Sequence, residues 1–264
     1  VLMTHVTRPV ISKGLWRDMK VCHALERHFE QRDLTGVLFI LTTGGGVRRA
    51  QDVRSMESEY GWPRHHRHGY PDLVGPEVDI NAMVEAFNAD HQRVQVVLVN
   101  QFGWSPERIG RRLPKGMDIA DLRRAADVEF GQATYEPFGI SPLEPLGAGA
   151  ICVITNICGC RGFVNYVADG DSVPNVLVAD YTQLDRPMSI DELKAMGEAE
   201  RDHIEQPVAE GVAEQLMERL ALDDDGRKAL IQSGQKLVKK MGWDQVIRHK
   251  MAPMLRRVLA GEAS

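Results

Sequence analysis

Over its first two-thirds the chain alternates short apolar runs with stretches of helical period. Val1 to Thr7 reads as a strand. Val37 to Thr42 is a continuous apolar run of the kind found in a strand covered on both faces, and Val94 to Val99 is another. Val128 to Phe130, Ile151 to Ile154 and, last, Val176 to Val178 continue the series. Between them, Trp16 to Glu30 predicts a helix with Met19, Cys22, Leu25 and Phe29 along one face. Glu77 to Ala89 is a second helix, Asp118 to Ala126 a third with an aspartate near its N-cap, and Pro142 to Gly147 starts a fourth. Strands alternating with helices imply βαβ units and a mainly parallel sheet. The predicted fold is α/β, a doubly wound domain whose ligand sits at the carboxyl ends of the strands.

Beyond Asp180 the pattern becomes helical only, over Met188 to Gly197, Val208 to Leu220, Asp223 to Lys240 and Trp243 to Leu259. Residues 1–180 are thus expected to form the sheet domain and 181–264 a helical tail packed on it. The segment 48–75 is polar and dense in Gly, Pro, Arg and His, and reads as a long surface loop or insertion. A net charge of −5 gives no reason to expect nucleic acid or an anionic membrane as partner. No apolar run approaches the roughly 20 residues that span a bilayer, and the first residues lack the basic-then-apolar order of a signal peptide. Cys22, Cys152, Cys158 and Cys160 do not form a disulfide or zinc spacing, so a reducing, cytoplasmic location is expected.

The chemistry concentrates in Tyr135-Glu136-Pro137-Phe138-Gly139-Ile140-Ser141-Pro142-Leu143-Glu144. Two carboxylates, Glu136 and Glu144, stand with seven residues between them. Gly139 permits a turn or the close approach of a ligand. Ser141 suits an N-cap and Pro142 a first helical position, so the N–H groups near Gly139 and Ile140 would crown a helix N-terminus, a natural place for an anion. Ser141-x-x-Glu144 also reads as a capping box, in which Glu144 only folds back on the cap amide.

Glu136-Pro137-Phe138-Gly139 with Glu144, followed by the strand Ile151 to Ile154, closely resembles the Glu-x7-Glu signature of retaining GT-B glycosyltransferases. Thr155-Asn156 to Phe163 is similar to the run found there in glycogen synthases of eukaryotic type. Arg8-Pro9-Val10-Ile11-Ser12-Lys13-Gly14 resembles the family's Arg-x4-Lys-Gly. Asp121 to Val128 resembles the helix-to-strand step before the signature, and Gly242-Trp243 the start of the last helix. Together these matches span Val6 to Leu259. The resemblance implies a Rossmann-like domain, the C-terminal, donor-binding half of a GT-B fold. It implies binding of a nucleotide-diphosphate sugar, of the UDP- or ADP-glucose type, for retaining transfer of a hexosyl group to a carbohydrate or other acceptor. Arg8 and Lys13 would grip the diphosphate, Glu136 would sit by the sugar hydroxyls, and Glu144 would accept from the ribose. Phe138, Gly139, Ile140 and Thr155 would complete the donor contacts. Neither a metal nor a cofactor is expected.

The Arg-x4-Lys feature normally opens the second domain of such enzymes, and here it begins at residue 8. The acceptor domain is then expected on a separate N-terminal domain or chain. The Pro-Ser that commonly precedes the first Glu is replaced by Gln132-Ala133-Thr134. Gly44-Gly45-Gly46 follows the second strand and reads as a flexible turn. Three other readings stand beside the main one. The chain could be a nucleotide-sugar-binding module without catalysis of its own. His65, His66 and His68 could hold a metal, and Cys158 with Cys160 could carry redox chemistry.

Overall fold

The computed structural model describes residues 1–184 and 186–261. Asp185 and residues 262–264, which belong to the expected tail, lie outside the described residues. Six strands form one parallel sheet: β1 Leu2–Val6, β2 Gly36–Leu41, β3 Val94–Val99, β4 Val128–Gly131, β5 Ile151–Thr155 and β6 Val176–Ala179. Their order is β3-β2-β1-β4-β5-β6, the doubly wound arrangement that the alternating pattern predicts. β4 and β5 are buried along their whole length, which is why they read as continuous apolar runs.

β1 lies at the centre. It pairs with β2 at every position from Leu2 opposite Val37 to Val6 opposite Leu41. With β4 it shares only Met3 opposite Val128 and Thr4 opposite Glu129. Beyond Thr4 the carboxyl ends of β1 and β4 part, and the chain leaves them towards opposite edges of the sheet. This is where a doubly wound sheet opens a crevice.

Helix α1 (Leu15–Gln31) buries Met19, Cys22, Leu25 and Phe29 against the sheet, the face its spacing predicts. Full burial of a side chain such as Phe29 stabilises by roughly 2–3 kcal/mol. The segment 48–75 is not a surface loop. It contains α2 (Ala50–Tyr60), and Arg48, Trp62, Asp72 and Leu73 are all buried. The composition misleads because its polar groups face one another. The Arg48 guanidinium donates to Glu77 at 2.6 Å, to the Asp72 carbonyl at 2.7 Å and to Thr43 Oγ1 at 2.6 Å. Glu77, the first residue of α3 (Glu77–Asp90), also accepts from the amides of Gly44 and Gly45 at 2.7 and 3.1 Å. The triglycine turn is therefore pinned rather than flexible. Both ring nitrogens of His66 are engaged, Nδ1 with Asp72 at 2.8 Å and Nε2 with the Leu98 carbonyl at 3.0 Å, while His65 and His68 are exposed. That leaves His66 without a nitrogen for a metal.

After β3 come α4 (Pro106–Ile109) and α5 (Ile119–Ala125). α5 is capped by Asp118 in a capping box closed by Asp121. Past β5, α6 (Gly159–Ala168) leads to β6. The helical tail follows as α7 (Ile190–Ala195), α8 (Glu198–Arg219), α9 (Asp224–Met241), α10 (Trp243–Val246) and α11 (Ala252–Leu259). The last two are joined by a π-helical stretch, Ile247–Met251. The pattern places the start of α8 after Pro207, yet the helix runs through it from Glu198. Glu205 in that extra length is buried and accepts from Arg17 Nε and Trp16 Nε1, both at 2.7 Å, which ties α8 to α1. The proline removes one ladder bond, and the buried pairing beside it outweighs that loss. α9 lies so close to the segment before β5 that a Cβ at Gly234 would stand 1.9 Å from the Leu146 carbonyl oxygen.

Burial raises the Glu77 pKa, but Arg48, Asn100 and the amides of Gly44 and Val74 outweigh it and hold it below its ordinary value of 4.5. A carboxylate with a lowered folded pKa stabilises above its unfolded pKa, and that contribution is lost as pH falls through the folded value. Glu77→Ala is expected to cost about 3–5 kcal/mol, because it leaves Arg48 buried and unpaired. Urea unfolding at neutral pH measures this, and the variant should also lose the wild type's steepening destabilisation below about pH 4.5.

Candidate functional site

A cleft of about 480 Å³ opens at the carboxyl ends of β1 and β4. Its walls are the end of β1 with the turn that follows, the exit of β4, and the segment 136–144. Arg8, Lys13, Glu136, Phe138, Gly139, Ile140 and Glu144 all line it. Thr155 does not. It is buried and donates to the Ala133 carbonyl at 3.0 Å, which fixes the chain leaving β4 instead of facing a ligand.

The turn after β1 is shaped by a 3-10 segment, Ile11–Lys13, and by Gly14 at φ +66°. A Cβ at Gly14 would meet the Gln132 carbonyl oxygen at 2.3 Å, so the turn packs directly on the β4 exit. The Ser12 carbonyl takes the Thr134 amide at 2.8 Å and strengthens that contact. Arg8 projects into solvent with no ion-pair partner among the described residues. Lys13 is mostly buried and donates to the Glu136 carboxylate. Burial pushes the Glu136 pKa up. Lys13 and the amides of Phe138 and Gly139 outweigh that and hold it below its usual range.

The segment 136–139 is braced from behind by the entry to α6. Gly159 donates to the Glu136 carbonyl at 3.1 Å and Cys160 to the Phe138 carbonyl at 2.5 Å. A Cβ at Gly159 would stand 1.8 Å from the Pro137 carbonyl oxygen, so only glycine permits this approach. Gly139 adopts φ +84° with its Cα facing Cys158 Sγ, where a Cβ would come within 2.6 Å. Cys158 and Cys160 are free thiols with sulfurs 3.1 Å apart, and Cys158 Sγ also lies 3.3 Å from the Phe138 carbonyl. The contact between the two thiols lowers the Cys158 pKa and, with burial, raises that of Cys160.

The expected helix after Gly139 is a 3-10 segment, Ser141–Ala148, preceded by Ile140 in the cap position. Pro142 and Pro145 remove two amide donors and the second cannot fit inside an α-helix, so the tighter form results. The amides of Phe138 and Gly139 turn towards Glu136. The capping box is not formed. Ser141 Oγ donates to the Val6 carbonyl at 2.9 Å and accepts from Arg123 at 3.2 Å, while Glu144 pairs with Arg123 at 2.9 Å and is about half exposed.

Arg123, on α5, is a residue the sequence reading passes over. It also donates to the Ser141 carbonyl at 3.0 Å and lies 3.6 Å from Glu129, which is fully buried on β4. Burial raises the Glu129 pKa to about 7, against the opposing pull of Arg123, Thr4 and His5. The floor of the cleft carries His5, whose Nδ1 donates to the buried Asp18 at 2.5 Å. Asp18 accepts in turn from Gln132 at 2.9 Å, and Gln132 from the Tyr181 hydroxyl at 2.6 Å. Two signals could have exposed this chain. His5 stands inside an apolar strand, and Asp18 falls on the same helical face as Cys22, Leu25 and Phe29.

No family model and no curated protein sequence matches this chain. Solved structures do. The chain aligns over 100% of its length with 45% of an α,α-trehalose-phosphate synthase (UDP-forming) from Burkholderia vietnamiensis, at 12% identity and a TM-score of 0.50. Over 98% of its length it aligns with 43% of an α,α-trehalose 6-phosphate synthase from Burkholderia multivorans, at 12% identity and a TM-score of 0.53. At that identity the likeness is one of fold alone, the Rossmann-like parallel α/β fold of one half of a GT-B structure. The chain spans less than half the length of each of these proteins.

Two outcomes follow from the geometry. Gly159→Ala should destabilise the protein by about 2–4 kcal/mol, since backbone must shift to admit the methyl group; thermal or urea unfolding reads this. Glu129 has a folded pKa raised from 4.5 to about 7. The folded state therefore binds more protons than the unfolded one between these values, and stability falls as pH rises across that window. In Glu129→Gln that part of the slope should vanish from a series of denaturation curves.

Proposed function

We propose that the cleft binds a nucleotide-diphosphate sugar and that this chain is the donor half of a retaining glycosyltransferase. One observation carries the reading. Arg8, Lys13, Glu136 and Glu144, from separate stretches of chain, meet in one cleft at the point where the strand order reverses. Transfer of a glycosyl group expels a nucleoside diphosphate, so negative charge grows on the leaving oxygen. Arg8, exposed and without an ion-pair partner among the described residues, and Lys13 supply the countercharge there, Arg8 in bidentate form if a phosphate offers two oxygens. Glu144, half exposed at the rim, accepts from ribose hydroxyls with Arg123 holding it in place. Glu136, held by the amides of Phe138 and Gly139, accepts from hydroxyls of the transferred sugar, and the Ile140 amide adds a donor. With both cations in place at the leaving group, the reading assigns no metal and no cofactor. Retention follows a front-face course in which the leaving phosphate takes the acceptor's proton.

The donor is a UDP- or ADP-glucose type of compound, and the acceptor is held by a further domain or a separate chain. Two facts support that partner. The chain covers less than half of the structures it resembles. The last helix, α11, exposes Met254, Leu255, Val258 and Leu259, each at least half accessible. The same coverage favours a second reading, a nucleotide-sugar-binding module that transfers nothing alone. Among the described residues no helix is long and apolar enough to cross a membrane.

Calorimetric titration with UDP, ADP, GDP and their glucose conjugates tests the reading. One diphosphate should bind, and Arg8→Ala should weaken it by about tenfold or more while leaving the nucleoside unaffected. Binding of none, or equal binding by the variant, would overturn it. Turnover by the isolated chain with a carbohydrate acceptor would reject the module reading.

A further inference from the structure

We propose that His5 is a third cationic contact for the diphosphate, an imidazolium oriented by Asp18 that donates from Nε2 into the cleft. This rests on the donor-site reading above. His5 is almost wholly buried and yet lines the cleft that Arg8 and Lys13 share. Its Nδ1 lies 2.5 Å from Asp18 Oδ2, and Asp18 is fully buried. The carboxylate does not have freedom to turn away, because its other oxygen takes the Gln132 amide at 2.9 Å and Gln132 is held by Tyr181. An acceptor on Nδ1 fixes the hydrogen there and directs Nε2 the other way. Nε2 has no hydrogen-bond partner among the described residues, so the open nitrogen of this cleft-lining ring is Nε2.

The charge state follows from the surroundings. A neutral imidazole would leave Asp18 as a buried, uncompensated carboxylate, whereas an imidazolium makes the pair neutral. Asp18 faces the ring from α1, Glu129 from β4 and Lys13 from the turn after β1. Lys13 is itself occupied by Glu136. Burial pulls the His5 pKa down, but Asp18 and Glu129 together raise it above 6.5. A ring in this state offers a charge-assisted N–H donor to the cleft that Arg8 and Lys13 also line. The same dyad could serve only to tie α1 to β1, and binding separates the two roles.

The test is calorimetric binding of UDP-glucose and ADP-glucose to the wild type and to His5→Gln between about pH 5.5 and 8.5. Both phosphates of these probes are diesters and stay singly ionised across that range, so any pH dependence belongs to the protein. Wild-type affinity should fall roughly tenfold as pH rises through the His5 titration. His5→Gln should bind more weakly than the wild type at low pH and lose the fall in affinity that the His5 titration produces, any slope left being that of Glu129, whose pKa is raised to about 7. Ring titration by NMR should also show the His5 pKa raised further by saturating sugar nucleotide. Equal affinities and equal pH profiles for the two proteins would overturn the proposal while leaving the donor site intact. Failure of the wild type to bind either probe would overturn both. If His5→Gln does not fold, the wild-type ring titration decides: a His5 pKa unmoved by bound sugar nucleotide refutes the contact.

Discussion

The short pairing of β1 with β4 governs the molecule. Two register positions suffice to join the halves of the sheet, and beyond Thr4 the strands separate. Had the ladder continued, Arg8 and the segment 136–144 would lie side by side along a closed sheet edge and no cleft would exist. The separation is enforced by what fills it. Ser141 donates to Val6, the last residue of β1, and Pro142 packs where any side chain at Gly131 would stand, 2.2 Å from its Cγ. A proline-rich 3-10 segment thus replaces the next rungs of the ladder, and the cleft is the space left above it.

Charge in this region is arranged in layers. Glu129 and Asp18 are buried beneath the floor, each without solvent, and each meets one cation or imidazole. Arg123 connects the layers, touching Glu129 below and Glu144 at the rim. Carboxylates thus stand at both levels: Glu136 and Glu144 line the cleft beside Arg8 and Lys13, and Glu129 and Asp18 lie buried behind them.

The sheet was legible because its strands are covered on both faces, and burial leaves an unbroken apolar run in the sequence. β3 reads from Val94 to Val99 in both the pattern and the structure. Helix α1 was legible for a similar reason, through the spacing of Met19, Cys22, Leu25 and Phe29. Segment 48–75 was not, since its stability lies in polar pairs such as Arg48 with Glu77 that join residues far apart in the chain. Composition reports such a segment as surface. The start of α8 was missed because Pro207 weighs heavily in local propensity, while Arg17, which rewards the extra turns through Glu205, lies 188 positions away. In the cleft, residues named by motif were readable. Arg123, His5 and Asp18 were not, as each acquires its meaning only from the partner that folding brings to it.

If the cleft takes the proposed donor, the Lys13–Glu136 pair would give it a form of selectivity that a bare cation would lack. The Lys13 ammonium already has a carboxylate, so an arriving anion would compete with Glu136 instead of filling a vacancy. A simple anion that won this exchange would leave Glu136 partly buried and unpaired, and the gain on one side would be cancelled on the other. A molecule that brings an anion for Lys13 and hydroxyl donors for Glu136 satisfies both ends at once. On the donor-site reading the pair would work as a two-part lock: free phosphate would supply half of what it demands, and a phosphorylated polyol the whole.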